Sequence, residues 1–267
     1  MSELAEMVQG HLLAAIENDD LVLPTLPEVA LRIREAAEDM DISVPGLGKV
    51  IGRDPALAAR LIKVVNSPML RATQEITDLN GAINRLGINY SSNLAIGLVI
   101  EQIFHARSPV VQAKMHEVWC QSLEVAGVSY EVCRRHTSLK PDQAALAGLV
   151  HQIGVLPILT YAQDHNELLS DPICLNHVIE RIHPLLGGKI LSAWEFSQPL
   201  VLVPGEYLDL ARRTPEVDYA DVVQIARLVR QHDYHRLPDL PAYQHLNLGE
   251  EMPIPASEVN MALGMFR

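Results

Sequence analysis

The apolar residues of this sequence recur at the spacing of a helix along most of the chain. From Ile96, apolar side chains follow at Val99, Ile100, Ile103 and Phe104, which all lie on one helix face. No run of alternating apolar and polar residues bounded by turn residues is long enough to predict a sheet. The pattern therefore favours an all-α fold. Because aromatic residues make up only 4% of the chain, aliphatic side chains must build most of its core.

Capping residues and prolines predict where several helices begin and end. Asp54 followed by Pro55 is typical of an N-cap and first helical residue, and Pro141 predicts another helix start. Ser43 is a third candidate cap, and Gly87 is expected to end a helix in the left-handed conformation. Only short polar segments separate these helices, so we expect neighbouring antiparallel helices.

The length of 267 residues and the position of the helix breakers predict one domain with two helical lobes. Residues 1–20 form a lead helix, residues 21–107 a first lobe and residues 108–230 a second lobe. Residues 231–267 contain four prolines and are predicted to be rich in loops.

Composition limits the possible partners and location. The net charge of −12 repels phosphate backbones, and the basic residues do not cluster, so no DNA binding is expected. Three widely spaced cysteines suggest a reducing compartment and are expected to be buried apolar residues. Cys120 is not expected to be a nucleophile, because no adjacent histidine is apparent in the sequence. Residues 1–10 lack a signal-peptide layout, and no apolar run reaches the about 18 residues of a membrane span. A cytoplasmic protein without a membrane contact is expected.

Four stretches of the first lobe resemble the HDOD domain family, the all-helical relatives of HD phosphohydrolases. They are LPTLP at 23–27, IGRDPAL at 51–57, VNSP at 65–68 and ITDL at 76–79. They occur in the family's order and at its spacing, and the resemblance extends over about residues 21–230. It implies an HD-like fold in which residues 108–230 form the HD core.

The resemblance also implies where a metal site would lie. HD phosphohydrolases hold a divalent cation with a histidine, an adjacent His-Asp pair and a distal aspartate. Here Gln121 stands at the first histidine, His151 and Gln152 form the doublet, and Arg227 falls near the distal aspartate. Asp221, about a turn and a half earlier, is an alternative for that position. Amides are poor ligands for hard cations and a guanidinium repels them.

We therefore predict no catalytic residue, no metal and no cofactor, but a remnant pocket. His183 resembles a further family position, and Glu206 occupies the neighbourhood in which a histidine pair is expected. The predicted pocket residues are Gln121, His151, Gln152, His183, Glu206 and Arg227. Gln121 and Gln152 are expected to join His151 in a neutral hydrogen-bond network that leaves no polar group unpaired.

The resemblance implies a regulatory module of bacterial signal transduction that binds other signalling proteins. Two alternatives stay open. A phosphohydrolase with a rearranged site would use His151, His183, Glu206 and Asp221, and a nucleotide-sensing module would hold a phosphate of a nucleotide second messenger with Arg227 and the histidines. A third possible site, formed by His232, Asp233 and His235, lacks a fourth ligand in the sequence.

Overall fold

The structure is a computed structural model that describes residues 3–18, 23–68, 70, 75–249 and 251–265. Within these ranges the chain forms α helices, two short 3₁₀ helices and no strand. The predicted all-α fold is confirmed. The predicted lead helix spans Glu3–Glu17, and residues 1, 2, 19 and 20 of the predicted segment lie outside the described residues.

The first part of the chain contributes six helices. They are α1 (Glu3–Glu17), α2 (Glu28–Glu38), α3 (Val44–Ile51), α4 (Pro55–Val65), α5 (Leu79–Leu86) and α6 (Ile88–Ile100), and a 3₁₀ turn, Glu101–Ile103, follows α6.

The second part begins with the long helix α7. Its elements are α7 (Pro109–His136), α8 (Pro141–Val150), α9 (Val155–Ala162), α10 (Asn166–Leu169), α11 (Pro172–Ala193), α12 (Gln198–Val201), α13 (Val203–Glu206), α14 (Tyr219–Arg230), α15 (Pro241–His245) and α16 (Ala256–Leu263). A second 3₁₀ turn, Tyr234–Arg236, lies between α14 and α15.

The predicted caps are present in the structure. A side-chain oxygen of Asp54 accepts hydrogen bonds from the backbone N–H groups of Ala56 and Leu57, both at 3.0 Å, and Ser43 caps α3. Gly87 ends α5 with a positive φ of 83°, as expected, but its ψ of 163° is extended. The chain therefore leaves α5 in a sharp bend that starts α6 at the next residue.

The core residues of the two predicted lobes belong to one hydrophobic cluster, with α7 at its centre. Helices α8, α9, α14 and α16 pack against α7, and α6 of the first lobe packs against both α2 and α8. The lead helix α1 packs against α11 of the second lobe. Trp194, at the end of α11, donates from Nε1 to the carbonyl oxygen of Pro24 at 2.8 Å, which adds a polar contact between the lobes.

The stretch Pro141–Ala162 is the one helical stretch of the described residues that is long and apolar enough to cross a membrane. It comprises α8, a turn and α9, and 83% of its apolar window is buried inside the protein. Burial of this kind is typical of a core helix pair.

The C-terminal segment returns to the core. Helix α16 lies against α7 so closely that a Cβ at Gly127 would overlap the carbonyl oxygen of Ala262. Ile254 and Val259 are buried in the same region. The segment therefore contains turns and short helices that complete one side of α7.

Gly154 allows α9 to start directly against α11. A Cβ at Gly154 would overlap the carbonyl oxygen of His183, and it would lie 2.5 Å from the backbone nitrogen of Gly187. Both obstacles are backbone atoms, so a rotamer change could not relieve them. The close packing of α9 against α11 holds His183 beside the turn that carries His151.

We expect Gly154→Ala to lower the free energy of unfolding by about 2–4 kcal/mol, because α9 and α11 must move apart. Urea unfolding followed by circular dichroism measures the change. Gly205→Ala is the matched control, since a Cβ there meets nothing within 4 Å, and it should change stability by less than about 1 kcal/mol. Equal effects of the two substitutions would contradict the packing argument.

Candidate functional site

A cavity of about 510 Å³ lies between α7, the turn after α8, α11 and α14. Five of the six predicted pocket residues line it: Gln121, His151, Gln152, His183 and Arg227. Glu206 is not among the lining residues; Tyr207, its neighbour in sequence, is. The structure thus brings together side chains that are up to 106 positions apart in sequence, from 121 to 227.

His151 is held by the helix that precedes it. Its Nδ1–H donates to the carbonyl oxygen of Gly148 at 2.6 Å, an assignment that follows from the acceptor being a carbonyl. The side chain is 1% exposed, and burial lowers the pKa of His151 to about 3. The imidazole is therefore neutral near pH 7, with its Nε2 left as an acceptor.

His183 is fixed at both ring nitrogens. Its Nδ1–H donates to the carbonyl oxygen of Ile179 one turn earlier in α11, at 2.7 Å, and its Nε2 accepts from the Tyr207 hydroxyl at 2.8 Å. Burial lowers the pKa of His183 to about 4. Both histidines of the pocket are thus neutral at physiological pH.

Tyr207 connects the two histidines, and the sequence prediction missed it. Its ring meets His151 edge-on with centroids 4.9 Å apart, while its hydroxyl binds His183. Burial raises the pKa of Tyr207 to about 12, although the nearby charge of Arg227 and hydrogen bonding to Gln152 lower it. The hydroxyl therefore stays protonated and acts as the donor to His183.

A spacing argument could have found Tyr207. Val203 and Tyr207 are both buried and lie four residues apart, which places them on one helix face, whereas Glu206 points about 100° away from Tyr207. The apolar spacing in this short segment was the available signal.

Arg227 supplies positive charge to the pocket. Its guanidinium carbon lies 6.0 Å from the centroid of the Tyr207 ring. The side chain is half-buried, and among the described residues no carboxylate lies within ion-pair distance of it. Within the described ranges, no carboxylate therefore neutralises the charge at this position.

The predicted network of neutral groups differs from the one in the structure. Gln121 turns away and donates to the Glu117 carboxylate at 3.0 Å, and His151 bonds to its own helix. Gln152 interacts with Tyr207, yet its Oε1 is buried without a hydrogen-bond partner among the described residues. The expectation that no polar group stays unpaired is wrong at this atom, because Gln121 is drawn to a carboxylate on its own helix.

Glu206 and Asp221 belong to a separate cluster around Arg212. Arg212 forms ion pairs with Glu206, Asp218 and Asp221, and with Asp218 the separation is 2.7 Å. Burial alone would raise the pKa of Asp218, but hydrogen bonding and the charge of Arg212 hold it below its usual value. Asp221 is also part of the capping box that starts α14. This cluster stabilises the segment that leads into α14.

No metal cluster is apparent in the ranges that the structure describes, since they contain no group of three histidine, cysteine, aspartate or glutamate side chains placed to hold an ion. His235 contacts Asp233 at 3.0 Å, but Nδ1 of His232 instead contacts the hydroxyl of Tyr234 at 2.7 Å. The three residues therefore do not converge.

Cys120 departs from its predicted environment. Cys133 and Cys174 are buried as expected, but Cys120 is partly exposed. Its Sγ lies 3.5 Å from Nε2 of His116, one helical turn earlier in α7. The expectation that no histidine lies next to Cys120 is wrong, because residues four apart are neighbours on a helix surface.

The fold and the buried histidine pair define an all-helical HD-like domain. The chain matches the HDOD domain family over residues 23–204, which is more than half of its length, and it belongs to that family. The match ends before Tyr207 and Arg227, so the α14 side of the pocket lies outside the matched range.

Solved structures share this fold. A Shewanella amazonensis SB2B protein, provisionally named a metal-dependent phosphohydrolase, is 27% identical with a TM-score of 0.85, covering 98% of this chain and 99% of its own. An HDOD domain protein of unknown function from Geobacter sulfurreducens is 18% identical with a TM-score of 0.76, covering 97% and 98%. A Marinobacter aquaeolei VT8 protein, provisionally named for signal transduction, is 19% identical with a TM-score of 0.62, covering 98% and 66%.

A curated relative is larger than this chain. An uncharacterized protein of Treponema pallidum (strain Nichols) is 22% identical over a 194-residue alignment that covers 67% of this chain and 36% of that protein. The chain thus corresponds to about a third of the relative.

The buried histidines predict a pH-dependent stability. The pKa of His183 is about 4 in the folded protein, against an ordinary value of 6.5. Between these values the unfolded state binds more protons, so the free energy of unfolding falls as the pH drops through this window and is unaffected by the histidine above it. His183→Gln should reduce the loss of stability between pH 7 and pH 5 by about 1–2 kcal/mol.

Urea unfolding at the two pH values measures this difference. The exposed His245 provides the control, and His245→Gln should leave the difference unchanged. An unaltered pH dependence in the His183 variant would show that His183 titrates normally in the folded protein.

Proposed function

We propose that this chain is a non-catalytic regulatory module of signal transduction that acts through contacts with other proteins. One observation carries the non-catalytic part: at the positions that correspond to the HD metal ligands, the chain has two amides and a guanidinium in place of a histidine and two aspartates. Gln152 follows His151 where the catalytic relatives have aspartate, and Arg227 supplies a positive charge to the same cavity. A hard divalent cation would meet few anionic ligands and a repelling charge there.

A rearranged phosphohydrolase site receives less support from the geometry. It would require Glu206 and Asp221 to join the two histidines. Both carboxylates instead pair with Arg212, and Asp221 is 1% exposed within a capping box. Releasing either one would leave the largely buried Arg212 with less compensation for its charge.

The surface between the starts of α7 and α11 supports a role in protein contacts. Val110 and Ile173 are 65% and 83% exposed. Val110 lines an apolar groove of about 310 Å³ together with Leu159 and Leu175, and Pro172, the sequence neighbour of Ile173, lines it as well. Apolar surface of this kind at a groove is typical of a site for an apolar segment of another protein.

We expect the purified chain to contain no stoichiometric divalent metal and to hydrolyse neither phosphomonoesters nor phosphodiesters with added manganese. Gln152→Asp should remain inactive, because a single carboxylate does not complete a ligand set and would be drawn to Arg227. Elemental analysis after dialysis and product release assays measure both points. The Shewanella amazonensis protein, assayed in parallel, provides a comparison of the same fold. About one bound metal ion per chain, or metal-dependent turnover by either form, would refute the non-catalytic proposal.

A double variant, Val110→Asp with Ile173→Asp, should weaken binding of a protein partner by at least about tenfold, since it places two charges on the apolar surface. Both positions lie in the first turn of a helix, where an aspartate is compatible with the helix dipole. The partner is isolated from the native host by crosslinking, and its affinity for the purified chain is measured with a chelator present. Met40→Asp is the control, because Met40 is fully exposed elsewhere. Unchanged affinity in the double variant would exclude this surface.

A further inference from the structure

The charge of the pocket is opposite to that of the whole protein. The chain carries 33 acidic and 21 basic residues. The described side chains that line the pocket nevertheless include four cations and one carboxylate: Lys114, Arg227, Arg230, Arg236 and Glu180. A cavity lined by one sign of charge concentrates ions of the opposite sign.

Three of these four cations have carboxylate partners. Lys114 pairs with Glu117 at 3.0 Å and Arg236 with Asp233 at 3.4 Å. Arg230 pairs with Glu124 at 2.7 Å. Their charges are thus largely compensated within the protein.

Arg227 differs from the other three. Its guanidinium lies by the face of Tyr207, half-buried, with no carboxylate of the described residues in reach. The neighbouring histidines are neutral at pH 7, so they neither compete with this charge nor add to it. A half-buried guanidinium retains its hydrogen-bond donors, and its planar fork matches the oxygens of a phosphate or carboxylate.

We propose that this pocket binds a phosphorylated small molecule, with its phosphate on Arg227. The volume of about 510 Å³ exceeds what a phosphate ion alone would fill and lies within the range of small-molecule sites. Val155, Leu208 and Leu210 provide apolar wall for an organic part. The unpaired Oε1 of Gln152 is an acceptor available to a ligand that carries a donor, after a small side-chain shift.

In this proposal the protein binds the phosphorylated molecule and does not catalyse its reaction. A phosphate held by one guanidinium is partly neutralised, and the described residues contain no metal-ligand group that would activate a water molecule beside it. The inference rests on the proposed function, because a phosphate compound is a ligand here and a substrate in a hydrolase. It adds to that proposal a small-molecule input for the regulatory module.

Isothermal titration of the full chain with defined probes tests the inference. The probes are inorganic phosphate, adenosine and guanosine monophosphates, cyclic di-GMP, glucose 6-phosphate and citrate. We expect at least one organic phosphate to bind with a millimolar or lower Kd and more tightly than inorganic phosphate or citrate. The nucleotide and sugar probes distinguish the possible sources of the phosphate.

Three variants assign the binding to this site. Arg227→Gln should lower the affinity for the bound probe by about tenfold or more, since it removes charge-assisted hydrogen bonds. Arg213→Gln, an exposed arginine outside the pocket, should have no effect. Glu180→Gln should tighten binding by about two- to fivefold, because it removes the pocket's carboxylate from an exposed position that folding does not require.

The outcomes separate the two proposals. Binding that weakens in Arg227→Gln and tightens in Glu180→Gln supports the site. The site is refuted if no probe binds the wild-type chain, if Arg227→Gln binds equally well, or if Glu180→Gln has no effect. Product analysis of each titration is a separate readout: a bound probe that is hydrolysed overturns the non-catalytic proposal while leaving the binding site intact.

Discussion

Close approach of helix backbones at small residues is the constraint on which the rest of this structure depends. Gly154 lets α9 begin against the carbonyl oxygen of His183, and Gly148 lets α8 lie against the backbone of α7 at Ala126. Helices that meet at this distance leave no room for larger side chains. These close contacts hold the turn after α8 against α11, and His151 and His183 therefore line the same cavity.

Burial within that cavity determines its electrostatics. Desolvation penalises the charged forms of both histidines and the ionised form of Tyr207, so all three stay neutral at physiological pH. Among the described residues that line the inner wall, Arg227 then carries a charge that no carboxylate compensates. The proposed binding of an anion in this pocket depends on that charge.

Part of the site could be predicted from the sequence because its signals are local. The doublet His151–Gln152 sits at a helix end followed by a glycine, and five of the six predicted residues line one cavity. Sequence position alone does not distinguish Glu206 from Tyr207, because it gives the neighbourhood and not the direction of a side chain, which changes by about 100° per residue in a helix. The contact between Cys120 and His116 was missed for the same reason.

The sequence by itself determined the helical class, the caps of α3 and α4, and membership of the family, since these depend on spacing within about one helical turn or on short stretches. The tertiary structure alone decided which charges are compensated. Asp221 and Glu206 are carboxylates that look available in the sequence, but the chain folds Arg212 onto both. Arg227 has no such partner in the part of the chain that the structure describes. Ion pairing depends on distances between side chains that are far apart along the chain or that point in different directions, and only packing sets those distances.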